Sequence, residues 1–220
     1  MSIRNKFDAE LKELHSAIIK MGAAVEEAIG LSVKALMTRD AELAKSVIEN
    51  DKKINEMNGA IGSSALKIML CQQPVASDLR AVSTALRMVG EIERMGDQAA
   101  DICSIVLRMC EEGCQTDPAF IPRMAEIARR MVRGCIDSFV RTDLELAKVI
   151  IETDNEMDEL FIKSRQELID LIKTNAAVAD QAIYLMMIAK YFEKIGDYAE
   201  NVASWVIFSV TGNYKGNFLI

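Results

Sequence analysis

The sequence is expected to fold as an all-α protein, a tandem repeat of two three-helix bundles with six long antiparallel helices. Three observations lead there. Only three prolines and eleven glycines interrupt 220 residues, half of them apolar. Ala, Leu, Ile, Met, Glu and Lys dominate, and these favour helix. Apolar residues recur three or four apart over long stretches, the period of a helix with one buried face. A nine-residue acidic segment also occurs twice, as Glu93-Arg-Met-Gly-Asp97-Gln-Ala-Ala-Asp101 and Glu193-Lys-Ile-Gly-Asp197-Tyr-Ala-Glu-Asn201.

The first helix is read over 3–38, with Phe7, Leu11, Leu14, Ile18, Met21, Val25 and Ala28 on one face. Gly22 and Gly30 lie inside it. Each would cost about 1 kcal/mol against Ala if exposed, so close helix packing is expected there. Thr38-Arg-Asp40 breaks the pattern, and Asp40 is a good N-cap. Helix two follows over 41–72 with the seam Leu43, Val47, Ile54, Met57, Ile61, Ile68, stepping by three, four and seven. Such a seam packs at small crossing angles. Helix three starts at Ala76-Ser-Asp78 and reaches residue 112, with Met88, Ile92, Met95, Ala99, Ile102 and Val106 inward.

A loop over 112–118 separates the halves, with Asp117 and Pro118 suited to start helix four over 119–140. Thr142-Asp143 precedes helix five over 144–173. Helix six covers 177–211 with the seam Ile188, Phe192, Ile195, Ala199, Val202, Val206, and 212–220 reads as a frayed tail. The stretch Asp40 to Asp51 aligns with Asp143 to Asp154 at an offset of 103, while the acidic segments align at 100. A three-residue deletion at the turn between the second and third helices of the second half accounts for the difference. The repeats are placed at 1–114 and 115–220.

The net charge of −7 argues against nucleic acid as a partner. Five cysteines with no C-x-x-C pair argue against a zinc ribbon, and free thiols suit a reducing cytoplasm. Arg4, Lys6, Asp8 and Glu10 leave no apolar signal core, and no window has the roughly 18 apolar residues of a membrane span. The chain is expected to be cytoplasmic, peripheral at most to a membrane complex.

Within each acidic segment, acids at i and i+4, with Asp101 at i+8, share one helical stripe. Stacked carboxylates repel by a few tenths of a kcal/mol per pair. A sequence that repeats this cost at matched positions points to a hard cation such as magnesium, manganese or iron. The bland reading is a solvated outer face. Measured from the seams, Glu93, Asp97, Glu193 and Asp197 fall opposite to the buried side. Duplication weighs against that reading, since the acids recur while most polar neighbours differ. Asp51 on helix two and Asp154 and Asp158 on helix five are further candidate ligands, bordering seams that face helices three and six. Ligand counting gives the second repeat the tighter site.

No enzyme signature is present. There is one histidine, His15, with no acid three residues before it, and no Gly-rich phosphate loop. The thirteen methionines read as core filler. A metal-storage or di-metal helix-bundle protein is the alternative, which the lack of histidine ligands disfavours.

Several segments resemble the PhoU family: Gln73-Pro-Val-Ala-Ser-Asp78-Leu-Arg80, Leu86-Arg87, Glu93-Arg-Met-Gly-Asp97, Lys190-Tyr-Phe-Glu193-Lys-Ile-Gly-Asp197 and Trp205-Val-Ile-Phe-Ser-Val-Thr-Gly212. The resemblance covers nearly the whole chain. It implies a non-enzymatic, often dimeric regulator that negatively controls phosphate uptake and the phosphate-starvation response. The implied partners are the ATPase subunit of the phosphate ABC transporter and a phosphate-sensing histidine kinase. It also implies metal ions, iron or zinc and multinuclear in some members, on Glu93, Asp97, Glu193 and Asp197. Asp101 and Asn201 stand where the family has Asn. Lys190 and Lys194 replace arginine, and Asn55 replaces a common acid.

Overall fold

In the computed structural model, which describes residues 3–115 and 119–218, six α-helices follow one another. They are α1 (Ile3–Thr38), α2 (Ala41–Gln72), α3 (Ala76–Glu111), α4 (Ile121–Arg141), α5 (Leu144–Thr174) and α6 (Ala179–Thr211). The first three form one bundle and the last three another. The bundles meet along α3 and α6, and again where α1 packs on α4. The accessible surface of 11010 Å² slightly exceeds the roughly 10,000 Å² of a round protein of this mass.

The caps explain why the repeats turn where they do. Asp40 accepts a hydrogen bond from the Leu43 amide at 2.9 Å, and Asp143 accepts one from the Leu146 amide at 3.0 Å. Arg39 and Thr142, the residues before them, both take the left-handed conformation, with φ of 52° and 55°. The three-residue deletion falls between α5 and α6. There the turn of residues 73–75 has no counterpart, and Asn175 caps a short 3-10 turn at Ala176–Val178 through the Ala177 amide. Helix α4 begins two residues later than its pattern suggested, with Pro122 in the first turn. The expected cap at Asp117 and Pro118 lies outside the described residues.

The seams hold the interior. Met88, Ile92, Met95, Ala99, Ile102 and Val106 of α3 are fully buried, as are Ile188, Phe192, Ile195, Ala199, Val202 and Val206 of α6. One contiguous apolar core runs through both repeats. Met21, Met88, Met95, Met109, Met124, Met131 and Met157 fill it. Gly22 marks the α1–α4 approach, because a Cβ there would stand 2.0 Å from Ile136 Cδ1. His15 is packed, its ring edge-on to Phe139 at 4.9 Å, and burial lowers its pKa. Among the described residues all five cysteines are free, and no helix is long and apolar enough to cross a membrane.

The tail is not frayed through its described part. Strands β1 (Asn213–Tyr214) and β2 (Asn217–Phe218) pair antiparallel around Lys215-Gly216. Gly212 and Gly216 adopt positive φ, which permits the two reversals. Tyr214 stacks on Trp205 at 4.0 Å, and the Arg87 guanidinium lies 5.5 Å from the same indole. The aromatic contact supplies the apolar area that a two-stranded hairpin lacks by itself. Trp205→Ala is therefore expected to release the hairpin while leaving the helices intact. Rapid amide exchange confined to 213–218 would show it, and unchanged protection would refute the role given to the stack.

Candidate functional site

The duplicated acids do not face open solvent. Glu93, Asp97, Asp101, Glu193 and Asp197 are all partly buried. The wheel drawn from one seam missed this because α3 and α6 pack on several sides at once, against their own repeat and against each other. A helix with three neighbours has little outer face left.

In the first repeat, α2 comes close to α3 at Gly96. A Cβ at Gly96 would sit 3.0 Å from Ile54 Cδ1 and 3.5 Å from Asp51 Oδ1. The missing side chain lets Asp51 enter the helix–helix interface beside Asp97. Asp51 Oδ2 accepts from Asn55 at 3.1 Å, while its Oδ1 is buried without a hydrogen bond. Burial first, and then the charges of Asp51, Glu93 and Asp101, push the Asp97 carboxyl up to about 6. Burial raises Asp51 and Asp101 as well. Asp51, Glu93, Asp97 and Asp101 therefore form one electrostatic unit.

The second repeat repeats the device. A Cβ at Gly196 would stand 2.8 Å from Asp154 Oδ1 and 3.3 Å from Met157 Cγ. Asp154 Oδ1 is again buried without a hydrogen bond. Burial, then Asp158, Asp197, Glu200 and Glu193, push the Asp154 carboxyl up to about 7. Asp158 itself is exposed and acts here through its charge.

The two clusters differ in their cations. Lys190 donates to Glu193, whose side chain is only 12% exposed. Lys194 donates to Asp197 Oδ2 at 2.5 Å and stands 3.9 Å from Glu193 Oε2. From the hairpin, Lys215 reaches Asn201 Oδ1 at 2.9 Å and Glu200 Oε2 at 3.4 Å. In the first cluster Arg94 turns to Glu91 instead, at 3.2 Å. Sequence reading did not single out Gly96 and Gly196, although a glycine inside a helix in both copies was the available signal. Lys215 carried no such signal, because only the fold of the tail brings it there.

Could these residues hold a cation? The donors are oxygens alone, which suits a hard ion and does not suit zinc, whose protein sites favour sulfur and nitrogen. The buried, unbonded Oδ1 atoms of Asp51 and Asp154 stand at matching positions of the repeats and fit a missing positive charge. Among the described residues, however, no three acids already converge as a ligand set. Binding would draw carboxylates together across α2–α3 or α5–α6 and, in the second repeat, displace lysines.

The family model of the PhoU domain matches the chain twice, at residues 18–106 and 121–206. The chain is 32% identical over 212 residues to a phosphate-specific transport system accessory protein PhoU homolog of Pseudomonas putida, covering 96% of this chain and 82% of that protein. It is 29% identical over 210 residues to the phosphate-specific transport system accessory protein PhoU of Escherichia coli K12, covering 96% and 87%. The crystal structure of PhoU from Pseudomonas aeruginosa superposes with a TM-score of 0.89 at 30% identity, over 94% of this chain and 100% of that one. That of the phosphate transport system regulatory protein PhoU from Streptococcus pneumoniae gives 0.88 at 26% identity, over 94% and 98%. Each acidic cluster lies inside one of the two matched segments, and the tandem fold is shared over 94% of the chain: the chain belongs to the PhoU family.

Proposed function

We propose that this protein is a non-enzymatic, cytoplasmic negative regulator of phosphate uptake and of the phosphate-starvation response. It would act, as a homodimer, through the ATPase subunit of a phosphate ABC transporter and a phosphate-sensing histidine kinase. The observation that carries this reading is the family match across both halves to accessory proteins of phosphate-specific transport. Deleting the gene is expected to switch on phosphate-starvation genes in plentiful phosphate, and normal repression in the deletion strain would refute the reading.

We also propose that the acidic clusters take up magnesium, manganese or iron. Asp51, Glu93, Asp97 and Asp101 would hold the ion in the first repeat, and Asp154, Asp158, Glu193 and Asp197 in the second. The support is the pair of buried, unbonded Asp51 and Asp154 oxygens. A bound cation would neutralise charges that now repel and tie α2 to α3 and α5 to α6. The metal-storage alternative finds no support in the donor set, since the one histidine is packed in α1. Manganese(II) titration of chelator-treated protein is expected to show two classes of site. Asp154→Asn with Asp158→Asn should remove the tighter class, and Asp101→Asn should leave that class in place. The ranking follows the number of acids that the neighbouring helix offers, two on α5 (Asp154 and Asp158) and one on α2 (Asp51). Loss of the tight class in Asp101→Asn would reverse it.

A further inference from the structure

The C-terminal hairpin carries a cation onto the second acid cluster. Lys215 and Gly216 close it between Tyr214 and Asn217. Both have positive φ, 46° and 84°. A two-residue turn of that kind favours Asn-Gly, so lysine in its first position sits in a backbone it disfavours. The placement delivers the ammonium to α6, where Nζ donates to Asn201 Oδ1 at 2.9 Å and to Glu200 Oε2 at 3.4 Å. Both acceptors belong to the second repeat alone: Ala100 stands where Glu200 does, and Asp101 where Asn201 does.

The contact is a weak one. Asn201 is neutral, and the lysine of the Glu200 pair is 40% exposed. Exposed pairs contribute little and are easily outcompeted. The other hold on the hairpin is the stack of Tyr214 on Trp205. A two-stranded hairpin is marginal by itself, so loss of either hold shifts its population. Glu200 is also part of the acid cluster, since its charge acts on Asp154. Lys215 is therefore one of three cations, with Lys190 and Lys194, that face the acids of this repeat. Lys190 and Lys194 ride on α6 and can leave their acids by changing rotamer. Lys215 rides on a separate element, so displacing it frees backbone.

We propose that the hairpin is a strap governed by the second cluster: Lys215 holds it closed, and a hard cation taken up by Asp154, Glu193 and Asp197 releases it. The inference rests on the reading of that cluster as a cation site. A dication cancels charge that attracts the ammonium and competes with it for Glu200. Release uncovers the Trp205 indole beside the Arg87 guanidinium of α3, 5.5 Å away. Thr84 of α3 donates to the Trp205 carbonyl at 3.4 Å, so the surface that changes lies on the seam between the repeats. The coupling is reciprocal. The factor by which the cation favours the open strap is the factor by which the open strap favours the cation.

The test uses the full chain, treated with chelator, and manganese(II) as the probe. Electron paramagnetic resonance of the free ion counts binding. Amide exchange over 213–218 and acrylamide quenching of Trp205, the one tryptophan, read the strap. Saturating manganese is expected to raise the exchange about threefold, the size of a weak surface coupling, and to raise the quenching with it. Lys215→Gln should show both changes without metal and gain little more from it. By reciprocity it should bind the tighter class of ion about threefold more tightly. Lys215→Arg, which keeps the charge, should behave as wild type. Asp154→Asn with Asp158→Asn, which lacks the tighter class, should keep the strap closed in manganese. If manganese binds but leaves 213–218 and Trp205 unchanged, the strap is overturned and the cation site stands. If manganese binds neither repeat, both fall. Release that persists in the Asp154 and Asp158 variant overturns the strap, and so does unchanged manganese affinity in Lys215→Gln.

Discussion

Phe192→Ala is expected to lower stability by about 3–5 kcal/mol, the range for removing a fully buried aromatic ring. Phe192 is 0% exposed on α6, the helix that packs against α3, α4 and α5. The void would open inside the contiguous core, where neighbours held from several sides collapse poorly into it. Ile92→Ala and Ile195→Ala, at equally buried positions, should cost about 2–5 kcal/mol. Because one apolar core runs through both repeats, urea should unfold wild type and variants in a single transition with similar slope. Two separated transitions would show that the repeats are independent cores. A loss below about 1 kcal/mol would show that the α6 seam is not the centre of the fold.

The same seam residues show why the fold could be read from the sequence. Ile92, Met95 and Ala99, or Phe192, Ile195 and Ala199, are local in sequence, and burial follows their period. Asp40 and Asp143 act within three residues of themselves, so those caps were legible too. The acids were legible as a duplicated stripe, but their surroundings were not. Whether these acids are solvated depends on where α2 brings Asp51 against α3, and nothing in the spacing of one helix encodes that. Arg80 and Thr84 belong to this unseen layer, since they donate to the Ser209 and Trp205 carbonyls across the repeat boundary at 3.1 and 3.4 Å. The hairpin was missed because its stability comes from Trp205, outside the tail.

Asp154→Asn is expected to stabilise the protein at pH 8 in the presence of chelator. The sign follows from linkage. The carboxyl sits at about 7 when folded and near 3.8 when unfolded. Between those values the folded state binds the proton more often, so this group's contribution is full below pH 4. It fades as the pH climbs through 7. Above 7 the wild type must bury a charge whose Oδ1 has no hydrogen bond and whose neighbours are acids. An amide of the same shape removes that cost. The full shift would correspond to about 4 kcal/mol, but partial solvation screens it, and a gain of about 1–2 kcal/mol at pH 8 is the expected result. The gain should shrink towards pH 5, where the wild-type carboxyl is protonated as well. Saturating manganese should reverse the order, because an ion bound only to the folded state adds about 2.7 kcal/mol at a hundred times its Kd. The variant would largely forgo that gain. Thermal melts at pH 5 and pH 8, each with chelator and with manganese, give the four numbers required. If Asp154→Asn melts well below wild type at pH 8 in chelator, Asp154 is part of the structural framework, and its unbonded oxygen is not a place kept for a cation.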